Sequence, residues 1–120
     1  MVIHNITRNI VLADRASMAD TALKRMKGLL GRPCFSPGEA LAIIPCQSVH
    51  MLFMQFAIDV IFVDRNKHVT GLCLHLKPFQ FSPIFWKSAC AIELPAGTIR
   101  QSKTEVGDTI IVQTGNERPI

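Results

Sequence analysis

Hydrophobic residues recur along the chain with two different spacings. Between residues 17 and 31 they lie three and four positions apart, which is the spacing of one face of an α-helix. Ser17 and Asp20 have the spacing of a capping box, and Gly31 followed by Pro33 is a usual helix stop. The pattern therefore predicts a helix from about Ser17 to Gly31. Its predicted apolar stripe consists of Ala19, Ala22, Leu23, Met26, Leu29 and Leu30.

Short apolar runs rich in valine, isoleucine and phenylalanine replace this pattern from residue 40 onward. Such runs, bounded by proline, glycine and charged clusters, are typical of β-strands. Residues 58–63 and 69–76 flank a short polar connection, which predicts an antiparallel hairpin. The remaining predictions are one or two strands within 2–13, strands at 88–94 and 109–113, a loop at 77–87, a helical turn at 98–103 and a tight turn at 106–108.

The order of these elements predicts the fold class. One main N-terminal helix followed by several short strands is typical of an α+β fold, and strands with short connections favour a mostly antiparallel sheet that curls into a barrel-like form. A length of 120 residues suits a single domain. We therefore expect one domain over residues 1–120, with a core at about 10–112 and a loose tail at 114–120.

Composition narrows the possible partners. With 48% hydrophobic and 18% charged residues, the chain is neither disordered nor a small disulfide-dependent scaffold. Its net charge of +4 is modest, and the basic residues near the predicted helix have no aromatic residue between them that could stack on bases. A nucleic-acid partner is therefore not favoured. The mean hydropathy of +0.27 suggests that some apolar surface serves an interface, with a homodimer as one possibility.

Cysteine usage and targeting signals indicate the compartment. The four cysteines form no CxxC pair, so a structural zinc site is not predicted, and we expect buried thiols, with two disulfides as the less favoured alternative. The first thirteen residues carry no secretory signal. The most apolar stretch, 49–63, is too short for a membrane span and is interrupted by Gln55 and Asp59. These features predict a cytoplasmic protein without a membrane span.

Four segments together carry a resemblance to a known family. They are RMKGLLGR at 25–32, SVHMLFMQFAIDVIFVD at 48–64, AIELPAG at 91–97 and VGDTI at 106–110. In this order and spacing they resemble the bacterial family catalogued as domain of unknown function 192. The resemblance covers roughly residues 10–112 and implies a small α+β domain with a barrel-like sheet. Because the activity of that family is not established, the resemblance assigns no catalytic residue.

One set of side chains has the chemistry of a soft-metal site. Cys46, His50 and Met54 are spaced by four, so they share a face on a strand or a helix. Thiolate, imidazole and thioether together suit Cu(I). The alternative is that Cys46 and Met54 fill the core and that His50 is a satisfied core or rim histidine.

Two carboxylates lie in strongly apolar surroundings. Asp59 interrupts FAIDVIFV and Glu93 lies in CAIELP, and a buried ionised carboxylate is costly unless cations or hydrogen bonds meet it. One interpretation is general acid/base catalysis by this pair together with His50 in a cleft. The other is structural: the carboxylates would anchor Arg25 or Arg32, or cap backbone donors at turns.

Three functions compete on this evidence. The first is a non-catalytic binding or accessory module that docks a partner protein, its own copy or a small ligand, with binding candidates Arg25, Arg32 and Met54. The second is a small enzyme that uses Asp59, Glu93 and His50, and the third is the soft-metal binder. The chain shows no phosphate loop, nucleophile elbow or HExxH motif, so the binding module is the favoured prediction and no cofactor is predicted.

Overall fold

The computed structural model describes residues 1–113, so the predicted tail at 114–120 lies outside the described residues. It is an α+β fold of strands and two short helices, as the sequence predicts. The elements in chain order are β1 Val2–Asn5, β2 Ile10–Ala13, β3 Arg15–Ala19, α1 Ala22–Lys27, β4 Glu39–Ile43, β5 Ile58–Val63, β6 Val69–Leu76, β7 Cys90–Pro95, α2 Thr98–Ser102 and β8 Ile110–Gln113.

Two sheets build the barrel-like body. One has the strand order β2-β1-β8 and the other β3-β4-β7-β5-β6, and all neighbours are antiparallel except β3 and β4. The sheets meet at two seams. At one seam the Ala16 amide donates to the Met1 carbonyl at 2.9 Å, and at the other His68 and Thr109 form an isolated bridge. Within residues 1–113 the sheets stay distinct and do not merge into one closed barrel.

The β5–β6 hairpin has the bounds that the sequence predicts. The carboxylate of Asp64 fixes its turn by accepting the amides of Asn66 at 2.8 Å and His68 at 3.0 Å. Strand β5 then lies between β6 and β7, and all six of its residues are buried. This central position explains why the strand is apolar throughout instead of alternating.

Strand β5 separates two hydrophobic cores. Ile61 and Val63 pack into one core with residues of the small sheet such as Ile3. Val60 and Phe62 point to the other face and pack into the second core, which includes residues of the 45–57 loop. Successive residues on β5 and β7 therefore face different surroundings, and this alternation decides where the two buried carboxylates point.

The helix prediction was wrong at both ends. Residues 15–19 form β3, which pairs in parallel with β4 and buries Ala16 and Ala19. The helix begins after Thr21, whose hydroxyl accepts the Lys24 amide at 3.2 Å, and it ends at Gly28, which has a positive φ of 48°. Pairing with β4 outweighs the helical spacing in this segment because it buries the alanines, whereas none of the residues of α1 is buried.

Candidate functional site

A cleft of about 190 Å³ opens between the end of α1, the 45–54 loop and strand β7. Its buried wall is apolar and includes Leu29, Val49 and Met54. The polar and sulfur-containing side chains that line it are Arg25, Met26, Lys27, Cys46, Ser48, His50, Met54 and Glu93. The cleft therefore joins most of the sequence-predicted site residues.

Glu93 is the buried charged group of the cleft. On β7 it lies opposite Leu41 of β4 and Val60 of β5, so its side chain points toward the second core and is 5% exposed. No group of residues 1–113 pairs with its carboxylate, and burial raises the pKa of Glu93 to about 7. Every completely buried side-chain oxygen of residues 1–113 has a hydrogen-bond partner. The Glu93 carboxylate has no partner, so it is not completely enclosed and faces the open space of the cleft.

Asp59 lies on the opposite face of the same sheet and is fully buried. Its Oδ2 accepts the amides of Gly97 at 3.1 Å and Ile99 at 2.9 Å, and its Oδ1 accepts the amide of His75 at 3.0 Å. These bonds tie the start of α2 and the end of β6 to β5. The structural interpretation, in which the carboxylate caps backbone donors, describes this geometry. Asp59 and Glu93 do not share a cleft.

The two candidate arginines take different positions. Arg25 lines the cleft and donates from Nη1 to the carbonyls of Ile44 at 3.3 Å and Asp20 at 3.4 Å. Arg32 forms an ion pair with Glu39 and lies 5.4 Å from the centre of the Phe35 ring, outside the cleft. Among residues 1–113 neither arginine pairs with Asp59 or Glu93, so the arginine anchors considered from the sequence are not formed.

Cys46, His50 and Met54 line the cleft together. The Cys46 thiol donates to the carbonyl of Ser48 at 3.1 Å, and burial raises its pKa, with the nearby Glu93 acting in the same direction. His50 is exposed, whereas Met54 is buried. In the described part of the chain no three His, Cys, Asp or Glu side chains are grouped closely enough to hold a metal ion. Because its pKa is raised, Cys46 is a thiol rather than a reactive thiolate.

Sequence comparison places this chain in a known family. The DUF192 model, described as an uncharacterized ACR, matches residues 3–112. The chain belongs to the DUF192 family. It is 35% identical over 120 residues to a UPF0127 protein of Thermococcus sibiricus, an alignment that covers 95% of this chain and 76% of the relative. It is 36% identical over 112 residues to UPF0127 protein PF1050 of Pyrococcus furiosus, which covers 88% and 93% respectively.

A solved structure shows the same architecture. A protein of unknown function from Novosphingobium aromaticivorans superposes on this DUF192 chain with a TM-score of 0.80 at 19% identity, covering 92% of this chain and 82% of that chain. At this identity the likeness concerns the fold. The two sequence relatives named above are archaeal, so the bacterial source that the resemblance implied stays a prediction.

The remaining cysteines of the DUF192 chain lie away from the cleft. All four cysteines are free, as expected, but the expectation that they would be buried was wrong: Cys34 is exposed and the other three are only partly buried. Cys73 and Cys90 are partly buried, and burial raises the pKa of Cys90 to about 12. Cys34 lies in the irregular segment that follows α1, because the helix ends earlier than predicted.

The sequence did not identify the helix-end wall of the cleft. Met26 was predicted to face the core, but it is 73% exposed and lines the cleft, as does the backbone around Gly28. Gly28 was the available signal, because a glycine in a helix costs about 1 kcal/mol relative to alanine. Neither helix of residues 1–113 has the length and apolar character needed to cross a membrane.

Proposed function

We propose that the chain is a non-catalytic binding module and that its ligand site is the cleft around Glu93. The observation that carries this proposal is an unpaired carboxylate, 5% exposed, that faces an apolar cleft. A buried charged group without a partner is destabilising unless a ligand supplies one. Asp59, which is fully buried, has three backbone donors, so burial on this sheet does not by itself leave a carboxylate without partners.

The surroundings of Glu93 define the class of ligand. Leu29, Val49 and Met54 offer an apolar wall, and Glu93 offers a carboxylate to an ammonium or another strong donor. The volume of about 190 Å³ suits an apolar body of about six non-hydrogen atoms, because a cavity of about 150 Å³ holds benzene. We therefore propose a small amine with a branched or cyclic apolar body. Met54 is retained as a binding residue. Arg25 lines the cleft, but its guanidinium is a cation that donates to the carbonyls of Asp20 and Ile44 and does not bind an ammonium. Arg32 lies outside the cleft.

The arrangement favours binding over catalysis. Asp59 has its carboxylate occupied by backbone amides, which removes it as a proton acceptor for a substrate. The Cys46 thiol donates to a carbonyl and has a raised pKa, which disfavours nucleophilic attack. Glu93 and His50 alone do not make a nucleophile with a positioned base.

Isopentylamine tests this proposal, with isopentanol as a neutral ligand of the same shape. The measurement is a titration of each compound followed by NMR of the backbone amides. We expect the amine to shift residues of the cleft and to bind more tightly as the pH rises through 7, because it prefers ionised Glu93. Glu93→Gln should weaken amine binding about tenfold, equivalent to about 1.4 kcal/mol, and leave alcohol binding unchanged.

Glu39→Gln is the matched control, since Glu39 pairs with Arg32 outside the cleft. It should bind the amine like the wild type. Equal binding of amine and alcohol in every variant, or shifts confined to residues outside the cleft, would contradict the proposal.

A soft-metal site is the second candidate, because Cys46, His50 and Met54 line one cleft. Cu(I) offered to the reduced protein should then bind in a one-to-one ratio, and His50→Ala should abolish this uptake. His68→Ala is the control, since His68 lies at the β6–β8 seam. Uptake that survives His50→Ala would exclude this site.

The free thiols also support the predicted cytoplasmic location, because cysteines persist in the reduced state there. Self-association and a partner protein stay predictions. The small-ligand site is the part of the binding hypothesis that the described geometry supports best.

A further inference from the structure

Two loops pair to form an extended ribbon on the surface, built from residues 47–53 and 79–86. We call it the aromatic ribbon. Met51 is central to the pairing, since its amide donates to Gln80 at 2.8 Å and its carbonyl accepts from Phe79 at 2.7 Å. The Ser82 amide donates to Val49 at 2.9 Å. The ribbon is thus held by backbone hydrogen bonds, although it lies outside both sheets.

The aromatic ribbon carries every exposed aromatic side chain of residues 1–113. Phe53 and Phe79 contact each other edge to face, with ring centres 5.7 Å apart. Trp86 is 74% exposed, although tryptophan is one of the most strongly buried residue types on average. The exposed apolar side chains of the ribbon are Phe53, Phe79, Phe81, Ile84 and Trp86.

A packed anchor holds the ribbon in place. Phe85 turns inward, and its ring centre lies 4.5 Å from that of Phe62 in the second core. Gly71 on β6 makes room for it, because a Cβ there would come within 2.1 Å of the Phe85 ring. The neighbours of Phe85, Ile84 and Trp86, are left exposed.

The two ribbon loops carry charges of one sign only, while Asp64 and Arg65 of the β5–β6 turn line a depression with Trp86 and Lys87 and add one charge of each sign there. Lys77 and Lys87 flank the second loop, and neither 45–57 nor 77–89 contains an aspartate or a glutamate. Aromatic side chains between lysines, with no carboxylate in either loop, complement the interface of an anionic bilayer: the rings enter the headgroup region and the lysines meet lipid phosphates.

We propose that the aromatic ribbon docks the chain on the surface of an anionic lipid bilayer. A symmetric contact with a second copy would bring the lysines of one ribbon toward those of the other, which disfavours it. Single-stranded nucleic acid needs a larger basic groove than two lysines provide. This surface is a second function beside the cleft and does not depend on the amine proposal.

Trp86 is the only tryptophan, so its fluorescence reports on the ribbon directly. Vesicles of equal parts phosphatidylcholine and phosphatidylglycerol should shift its emission to shorter wavelength and sediment with the protein. Vesicles of phosphatidylcholine alone should bind at least tenfold more weakly. High salt should also weaken binding to the anionic vesicles.

Two variants with matched controls test the two parts of the surface. Phe79→Ser with Phe81→Ser should reduce vesicle binding at least tenfold, whereas Leu23→Ser, at an even more exposed apolar residue of α1, should not. Lys77→Glu with Lys87→Glu should remove the preference for anionic vesicles, whereas Lys24→Glu with Lys27→Glu makes the same charge change on α1 and should retain it. Circular dichroism confirms that each variant is folded.

Several results would overturn the proposal. The first is unchanged Trp86 emission with anionic vesicles in the folded wild type. The second is equal loss of binding in the ribbon variants and their controls, which would indicate attraction by net charge alone. A dimer that forms through the ribbon without vesicle binding would assign the surface to a second copy, and retention of a single-stranded oligonucleotide in preference to vesicles would assign it to nucleic acid.

Discussion

Two buried carboxylates, Asp59 and Glu93, lie on neighbouring strands of one sheet but face opposite sides of it. Asp59 accepts three backbone amides, from His75, Gly97 and Ile99. Glu93 has no partner within residues 1–113, and its carboxylate faces a cleft. The comparison teaches that burial alone does not assign a role to a carboxylate. The role of a buried carboxylate depends on whether the surrounding backbone supplies hydrogen-bond donors.

The difference follows from what each face of the sheet contacts. On the Asp59 face, the chain turns after β7 and starts α2, so free amides lie directly over the carboxylate. On the Glu93 face, the neighbours are apolar side chains and the open cleft. The first carboxylate therefore stabilises the fold, while the second reduces its stability, which is typical of a functional position.

Replacing Asp59 should have the largest effect. Asp59→Ala leaves three backbone amides without their acceptor, and each buried unsatisfied donor costs about 1–3 kcal/mol. We expect a loss of about 4 kcal/mol in the free energy of unfolding, measured with urea. Asp64→Ala is the control, because Asp64 also accepts two amides but in a solvated turn. A similar small loss in both variants would show that the Asp59 bonds contribute little.

Replacing Glu93 should change the free energy of unfolding in the opposite direction, toward higher stability. Burial raises the pKa of Glu93 from 4.5 to about 7, so the folded chain holds this proton more tightly than the unfolded chain. The wild type therefore loses stability as the pH rises from 4.5 to 7, and Glu93→Gln does not. We expect equal stabilities below about pH 4.5 and a variant that is more stable by about 3 kcal/mol above pH 7.

Urea unfolding of both proteins across this pH range measures the difference and removes the contribution of the histidines, which both proteins share. Glu39→Gln should show no such gain, since it loses the ion pair with Arg32. A variant less stable than the wild type at every pH would mean that Glu93 has a partner after all.

The comparison also shows which parts of the molecule could be predicted from the sequence. The β5–β6 hairpin was predicted with its bounds, because short apolar runs and a polar turn are local signals. The need of Asp59 for partners was also predictable. Its donors were not, since His75 and Gly97 are distant in sequence and meet it only in the folded chain.

The errors have the same cause. Strand β3 was read as helix because its alanines fit either period, and only the parallel pairing with β4 decides between them. The cleft combines the end of α1, a loop and β7, so no single segment could reveal it. The family could be recognised from the sequence because the resemblance depends on four segments in a fixed order, not on a single one.

Asp108 is a third buried carboxylate that can be compared with Asp59 and Glu93. Its replacement should have the smallest effect of the three on the free energy of unfolding. Burial alone would raise its pKa, but hydrogen bonds from Arg8 and Asn5, both 3.0 Å long, outweigh burial and lower the pKa below the ordinary value of 3.8. Its contribution is therefore fully present above about pH 4 and is lost as the pH falls further, the reverse of Glu93. Asp108→Asn should cost about 1–2 kcal/mol at neutral pH, because the charge-assisted bond to Arg8 is lost. Urea titrations should show that the stability difference between the wild type and Asp108→Asn disappears in acid. A difference that grows in acid would mean that Asp108, like Glu93, destabilises the fold through its burial.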